Sequence, residues 1–146
     1  MVSKVERFWI VFILRFAIGF LFLFASIEQF NFGPEKFADE LSKGFQSTWL
    51  ADVHVGTFTG LDLVRNFLFA MPYILGGLSV LILTGIALRP ALRLGALVLV
   101  ALGLGKYLQK DIPTTANDFL FALIICIGLY FLSLERRTVV VESRTL

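Results

Sequence analysis

Long apolar stretches alternate with short polar segments along this chain of 146 residues. A helix needs about 20 residues to cross a bilayer about 30 Å thick. Four stretches approach this length, at about 8–30, 67–88, 91–109 and 117–135. The first is interrupted by Arg15, and the second has no charged residue. The pattern predicts four membrane-spanning helices in one domain, an outer loop at 31–66 and a cytoplasmic tail at 136–146.

The connection between the second and third stretches is very short. Only Arg89-Pro90 separates them, so we expect these two helices to form an antiparallel hairpin. Proline suits the first turn of a helix, where its missing N–H has no helical partner in any case.

The outer loop contains an amphipathic pattern of its own. Pro34 is well placed to open a helix, and Phe37, Leu41 and Phe45 then recur every four residues. The pattern predicts a short interfacial helix that lies in the headgroup region with its Phe/Leu side toward the lipid. The next residues, 46–63, are expected to form a loop on the membrane surface.

The basic residues predict the orientation of the spans. Lys and Arg are concentrated at the two chain ends and in the short second connection, while most acidic residues fall on the opposite side. Because cytoplasmic segments carry the excess of Lys and Arg, both termini are predicted to be cytoplasmic. The residues counted on that side are Lys4, Arg7, Arg89, Arg93, Arg136, Arg137 and Arg144. A cleaved signal peptide is the alternative for the first stretch, but its length and Arg15 favour a retained span.

Composition supports the same fold class and narrows the chemistry. Hydrophobic residues make up 58% of the chain and charged residues 16%, whereas soluble domains are about 45–50% apolar and about 25% charged. We therefore expect an all-α transmembrane four-helix bundle. One cysteine, Cys126, and one histidine, His54, argue against dithiol chemistry, a bis-histidine haem and a metal cluster. A net charge of +2 with scattered basic residues gives no indication of nucleic-acid binding.

Polar residues in the first span share one helix face. Arg15, Gly19, Phe22, Ser26 and Gln29 recur at spacings of three and four, so this face is expected to pack inward. Two interpretations of Arg15 stay open, a buried structural cation and a cation that extends to the headgroups.

A second group of polar residues lies at the outer ends of all four spans. The predicted topology brings acids, amides and cations to one membrane level above an aromatic interior. Such a cluster suits a small oxygen-rich ligand, such as a quinone head or an anion. The candidate residues are Glu28, Gln29, Arg65, Lys106, Asn117 and Asp118. The alternative is ordinary interfacial polarity, with charge pairs such as Glu28–Lys106 and Asp118–Arg65.

The order of these features resembles the DoxX family, which includes DoxD, the small subunit of thiosulfate:quinone oxidoreductase. The first span, Arg15-Phe-Ala-Ile-Gly19-Phe-Leu-Phe22 with Ser26 four residues later, is similar to the family's opening pattern. The segment from Pro34 to Gly44 is similar to its amphipathic outer segment. Further likeness lies in Pro72, Gly76-Gly77, Leu83 to Gly85 and Arg89. The family commonly has Lys where this chain has Gln29.

The resemblance implies a four-helix protein of the bacterial or archaeal plasma membrane that serves a quinone-linked redox system. In that case Lys106 or Arg65 would stabilise negative charge on the quinone oxygen, and Glu28 or Asp118 would move protons. No covalently bound cofactor is expected, and the expected partners are the lipid bilayer, other redox subunits or further copies of the chain. The alternative is a non-catalytic accessory or assembly subunit of a larger membrane complex; a small transporter is less favoured.

Overall fold

The computed structural model describes residues 3–144, and the side chains of residues 3–134. Helices account for most of the chain, and four of them are long and apolar enough to span a membrane. This confirms the predicted all-α transmembrane four-helix bundle. The elements are α1 (Lys4–Phe32), α2 (Pro34–Lys43), a 3₁₀ helix (Trp49–Asp52), β1 (His54–Val55), β2 (Phe58–Thr59), α3 (Gly60–Thr84), α4 (Leu88–Leu108) and α5 (Ile112–Arg144).

All four long helices begin earlier than the hydropathy pattern predicts, and in two of them, α1 and α3, a capping box precedes the apolar stretch. The Ser3 hydroxyl accepts from the N–H of Glu6, whose carboxylate accepts in return from the N–H of Ser3. Thr59 and Asp62 make the same reciprocal pair at the start of α3. Each pair satisfies amide donors that a helix N-terminus otherwise leaves without partners. Helix α3 therefore begins at Gly60, seven residues before the predicted 67.

The hairpin connection lies earlier than predicted. Helix α3 ends at Thr84, and three residues, Gly85 to Ala87, join it to α4. Gly85 has φ 77°, a left-handed conformation that glycine adopts without steric cost, and its N–H bonds back to the end of α3. Arg89 and Pro90 belong to the first turn of α4 and are not the link itself.

The long helices pack as two antiparallel pairs. Helix α1 packs mainly along α3, and α4 mainly along α5. Close contacts between Phe22 and Gly95, and between Leu14 and Gly128, join α1 to the second pair. The buried core runs between the helices and includes Phe22, Met71, Ile82, Leu92 and Ile125. The antiparallel order puts the start of α1 and the end of span α5 at the same end of the bundle. The basic tail residues Arg136, Arg137 and Arg144 lie outside the described side chains.

Arg15 binds the C-terminal end of α3. Its guanidinium Nε donates to the carbonyl oxygens of Ile82 (2.9 Å) and Leu83 (3.1 Å), and its Nη2 also donates to Leu83. The C-terminal carbonyls of a helix carry partial negative charge and lack helical donors, so a guanidinium is well suited to them. The inward face predicted for the first span is present as well, since Ile18, Gly19, Phe22 and Ser26 are buried.

The amphipathic helix of the long loop packs against the bundle. Helix α2 follows α1 after a single residue, Gly33, and lies mainly against α3. Ala38 is buried, and so is Phe45, which follows the helix. The Phe/Leu side, which the sequence pattern assigned to lipid, therefore faces the bundle. We call the end of the bundle that α2 covers the loop end, and the other the termini end.

Candidate functional site

A cavity of about 790 Å³ lies at the loop end, bordered by residues of α1 to α5. Its volume falls within the range of about 300–1,000 Å³ that is typical of small-molecule sites. Most of its wall is apolar, with a small number of polar side chains. The larger apolar side chains in the wall include Phe32, Phe37, Leu41, Phe45, Phe67 and Leu102.

The packing of the helices makes this cavity. On α1, residues Ala25, Glu28, Gln29 and Phe32 lie at spacings of three and four, so they form one face that borders it. The 10-residue helix α2 closes it with the face that the sequence pattern assigned to lipid.

Polar contacts hold α2 in place over the cavity. The side-chain Nε2 of Gln109, at the end of α4, donates to the Leu41 carbonyl at 3.2 Å. The Phe45 ring packs on Gly105, where an added methyl group would lie 3.3 Å from its Cζ atom. The wall of the cavity therefore depends on contacts between two segments that are at least 60 residues apart in the chain.

Four of the six predicted site residues border the cavity. They are Glu28 and Gln29 from α1, Lys106 from α4 and Asp118 from α5. Their convergence results from the antiparallel packing, which brings the last turns of α1 and α4 to the same level as the first turns of α5.

The other two predicted residues do not border the cavity. Arg65 lies on the outside of α3, where its Nε donates to the Asp39 carboxylate of α2 at 2.5 Å. Asn117 is exposed and lies outside the cavity lining. Both are at the predicted level along the helix axis, but their side chains leave the helix on other faces. The suggested pair Asp118–Arg65 is therefore wrong. Among residues 3–134, no ion pair joins Glu28 to Lys106.

Lys106 and Asp118 lie near a close contact between α4 and α5. A methyl group added at Gly103 would be 3.4 Å from the Cβ atom of Asp118. Lys106 is three residues further along α4, on nearly the same face. Its positive charge acts on both Asp118 and Asp111. Lys106 thus lies near carboxylates of α5 and its preceding turn, but it forms no ion pair with either within residues 3–134.

Asp111 caps the start of α5 next to the cavity. Hydrogen bonds from Thr114 lower the pKa of the Asp111 carboxyl, and the charge of Lys106 lowers it further, against the opposing effect of burial. The ionised form is the better acceptor for the amide groups at a helix N-terminus.

Gln29 contributes an amide to the cavity wall. Its Oε1 atom is closed off from solvent and has no hydrogen-bond partner among the described residues. A buried acceptor without a partner costs about 1–3 kcal/mol. Such an atom is uncommon in folded proteins and is often found at functional positions.

Three further polar residues border the cavity and were not among the sequence candidates: Glu40, Gln109 and Thr114. Glu40 belongs to α2, for which the sequence pattern predicted the position of the Phe/Leu side only. Thr114 lies in the first turn of α5, before the predicted start of that span at 117. The amphipathic spacing of α2 was visible in the sequence, but the part of the bundle that its apolar side faces was not.

Within residues 3–134, no group of three or more histidine, cysteine or carboxylate side chains is placed to hold a metal ion. The chain matches no protein-family model, no curated protein and no solved structure. Any assignment of function therefore rests on the geometry and chemistry of the cavity.

Proposed function

We propose that this protein is a DoxX-like small membrane subunit of a quinone-linked redox system, and that its cavity at the loop end binds the quinone. The observation that carries the proposal is the cavity itself. Its volume of about 790 Å³, its largely apolar wall and its few polar groups match the general form of a site for an apolar molecule with a polar head.

The residues of the cavity fit such a ligand. The phenylalanine and leucine side chains offer an apolar surface to the ring and its tail. The Lys106 ammonium offers a donor and a positive charge to a head oxygen, and Gln29 is a further polar residue of the wall. A bound quinone would supply two-electron, two-proton redox chemistry. Asp118 and Glu28 are the residues in the wall that would exchange protons with the head.

Electrons must reach a quinone from a donor or another subunit. The chain has a single cysteine and a single histidine, so its own side chains do not provide the ligand set of a haem pair or an iron–sulfur cluster. We propose that a partner subunit or a small reduced substrate supplies the electrons at the loop end.

The proposed orientation has both termini in the cytoplasm and the cavity near the outer face of the membrane. The basic residues of the termini end support it, as cytoplasmic segments carry the excess of positive charge. Labelling of an engineered single cysteine at Ser47, in a chain whose Cys126 is replaced by Ala, tests the orientation in intact cells. If the Ser47→Cys thiol reacts with a membrane-impermeant maleimide in intact cells, the proposed orientation is supported. If the thiol reacts only after the cells are lysed, the orientation is contradicted.

The test of the function is equilibrium binding of a decyl-substituted benzoquinone to the purified chain in lipid nanodiscs. We expect saturable binding that Lys106→Met weakens by about tenfold, because one hydrogen bond to a charged donor is lost. Lys36→Met is the matched control, since Lys36 is exposed on α2 and does not border the cavity. No saturable binding, or an equal loss in both variants, would contradict the proposal.

The second candidate function is a non-catalytic assembly subunit. A row of neighbouring aromatic rings on α1 favours it. These phenylalanines recur every four residues, with neighbouring centroids 4.6–6.1 Å apart: Phe8, Phe12, Phe16, Phe20 and Phe24. Most of these rings are exposed on the outside of the bundle. Purification in mild detergent tests it, because an assembly subunit should carry a stoichiometric integral membrane partner that the double variant Phe20→Ala/Phe24→Ala loses.

A further inference from the structure

The charges that border the cavity are mostly negative. Glu28, Glu40 and Asp118 contribute carboxylates, and Lys106 contributes the positive charge. Glu40 is paired with Lys43 at 3.0 Å. The charge of Lys106 already acts on two carboxylates.

Among residues 3–134, neither Glu28 nor Asp118 has an ion pair or a hydrogen bond through its side chain. The charge of Lys106 acts on Asp118, whereas no cation among these residues forms an ion pair with Glu28. Glu28 lies on the cavity-facing side of α1 and is also open to solvent. A ligand head that enters the cavity therefore meets a carboxylate whose charge no neighbouring side chain offsets.

Such a wall favours heads that donate hydrogen bonds. Ionised carboxylates only accept hydrogen bonds. The carbonyl oxygens of an oxidised quinone also only accept, so a carboxylate beside them is unfavourable. The hydroxyl groups of the reduced form donate, and a hydrogen bond to a charged acceptor is among the stronger ones in proteins. An anionic head would be repelled.

We propose that the cavity binds the reduced, hydroxyl-bearing form of its lipophilic ligand in preference to the oxidised form and rejects anions, and that Glu28 sets this preference. This inference rests on the proposed quinone function and specifies which redox form the site holds. A site of this kind would raise the midpoint potential of the bound couple, by about 30 mV for each tenfold preference in a two-electron reaction.

The experiment compares three probes under anaerobic conditions with the full chain in lipid nanodiscs: decyl-benzoquinol, decyl-benzoquinone and dodecanoate. We expect the quinol to bind at least tenfold more tightly than the quinone, and dodecanoate to bind more weakly than either. Glu28→Gln should reduce the preference for the quinol to less than threefold and should strengthen dodecanoate binding. Glu35→Gln is the matched control, because Glu35 lies on α2 outside the cavity wall.

The outcomes separate this inference from the function on which it rests. If the quinone binds as tightly as the quinol, the preference is refuted while the quinone site stands. If neither form binds, both are refuted. Thermal melting of each variant shows whether it is folded, and Asp118→Asn provides a second change in the same wall. An unchanged preference in a folded Glu28→Gln variant would refute the assignment to Glu28.

Discussion

Replacement of Arg15 tests whether an intramembrane charge joins two helices of this bundle. The guanidinium makes three hydrogen bonds to the carbonyls of Ile82 and Leu83, at the C-terminal end of α3. In Arg15→Met the side chain keeps much of its apolar length but loses all three hydrogen bonds. The Ile82 carbonyl keeps the N–H of Gly85 at 3.2 Å, whereas the Leu83 carbonyl loses its side-chain donors.

The expected loss of stability can be worked out from these contacts. Hydrogen bonds between membrane helices contribute about 0.6 kcal/mol on average and up to about 1.7 kcal/mol. A charged donor and the negative end of the α3 dipole favour the upper part of that range. Relief of the cost of holding a cation in the membrane offsets part of the loss. We therefore expect Arg15→Met to lower the free energy of unfolding by about 1–2 kcal/mol.

The assay is reversible unfolding in mixed detergent and dodecyl sulfate micelles, followed by circular dichroism. Arg93→Met is the matched control, because Arg93 is exposed on α4 and no hydrogen bond or ion pair involves it within residues 3–134. We expect the control to change stability by less than about 0.5 kcal/mol. Equal stability of Arg15→Met and the parent chain would refute the conclusion that Arg15 stabilises the α1–α3 pair.

Three further changes test other contacts. In the same assay, Gly85→Ala should lower the free energy of unfolding by about 1–2 kcal/mol, because φ is 77° and the new methyl group would lie 2.8 Å from Nη1 of Arg15. This loss of stability should be smaller when Gly85→Ala is combined with Arg15→Met. Phe45→Ala should lower the free energy of unfolding by up to about 3 kcal/mol, since the buried ring holds the end of α2 against Gly105. It should also speed trypsin cleavage after Lys43. Asp111→Asn should lower the melting temperature at pH 7.

The pH dependence of the last variant has a definite sign. The pKa of Asp111 is lowered in the folded chain, chiefly by its hydrogen bonds with Thr114, so ionised Asp111 stabilises the fold above its unfolded pKa of about 3.8. That stabilisation is lost as the pH falls through the lowered folded value. The difference in melting temperature between Asp111→Asn and the parent should therefore shrink below about pH 4. A difference that is constant from pH 7 to pH 3 would contradict the role of the carboxylate.

The helix boundaries show how far local sequence patterns extend. Hydropathy located the apolar parts of the four spans but missed the polar first turns of α1 and α3. Those turns carry the spacing of a capping box, Ser3 with Glu6 and Thr59 with Asp62, which was present in the sequence. The left-handed Gly85 likewise ends α3 before the predicted Arg89-Pro90 link.

The candidate site was partly predictable because a shared membrane level can be counted along each helix. Glu28, Gln29, Lys106 and Asp118 were grouped in this way, and all four border the cavity. Arg65 was placed at the right level and on the wrong face. An α-helix turns by about 100° per residue, so level alone does not define the direction of a side chain.

The sequence by itself determined that this chain forms four membrane-spanning helices, because a bilayer accepts only stretches that are apolar and satisfy their own backbone hydrogen bonds. That requirement acts within each segment. Tertiary structure decided which faces meet: α1 with α3, α4 with α5, and α2 with α3 beside a cavity. Those choices depend on contacts between residues far apart in the chain, such as Arg15 with Leu83 and Gln109 with Leu41, which no local pattern contains.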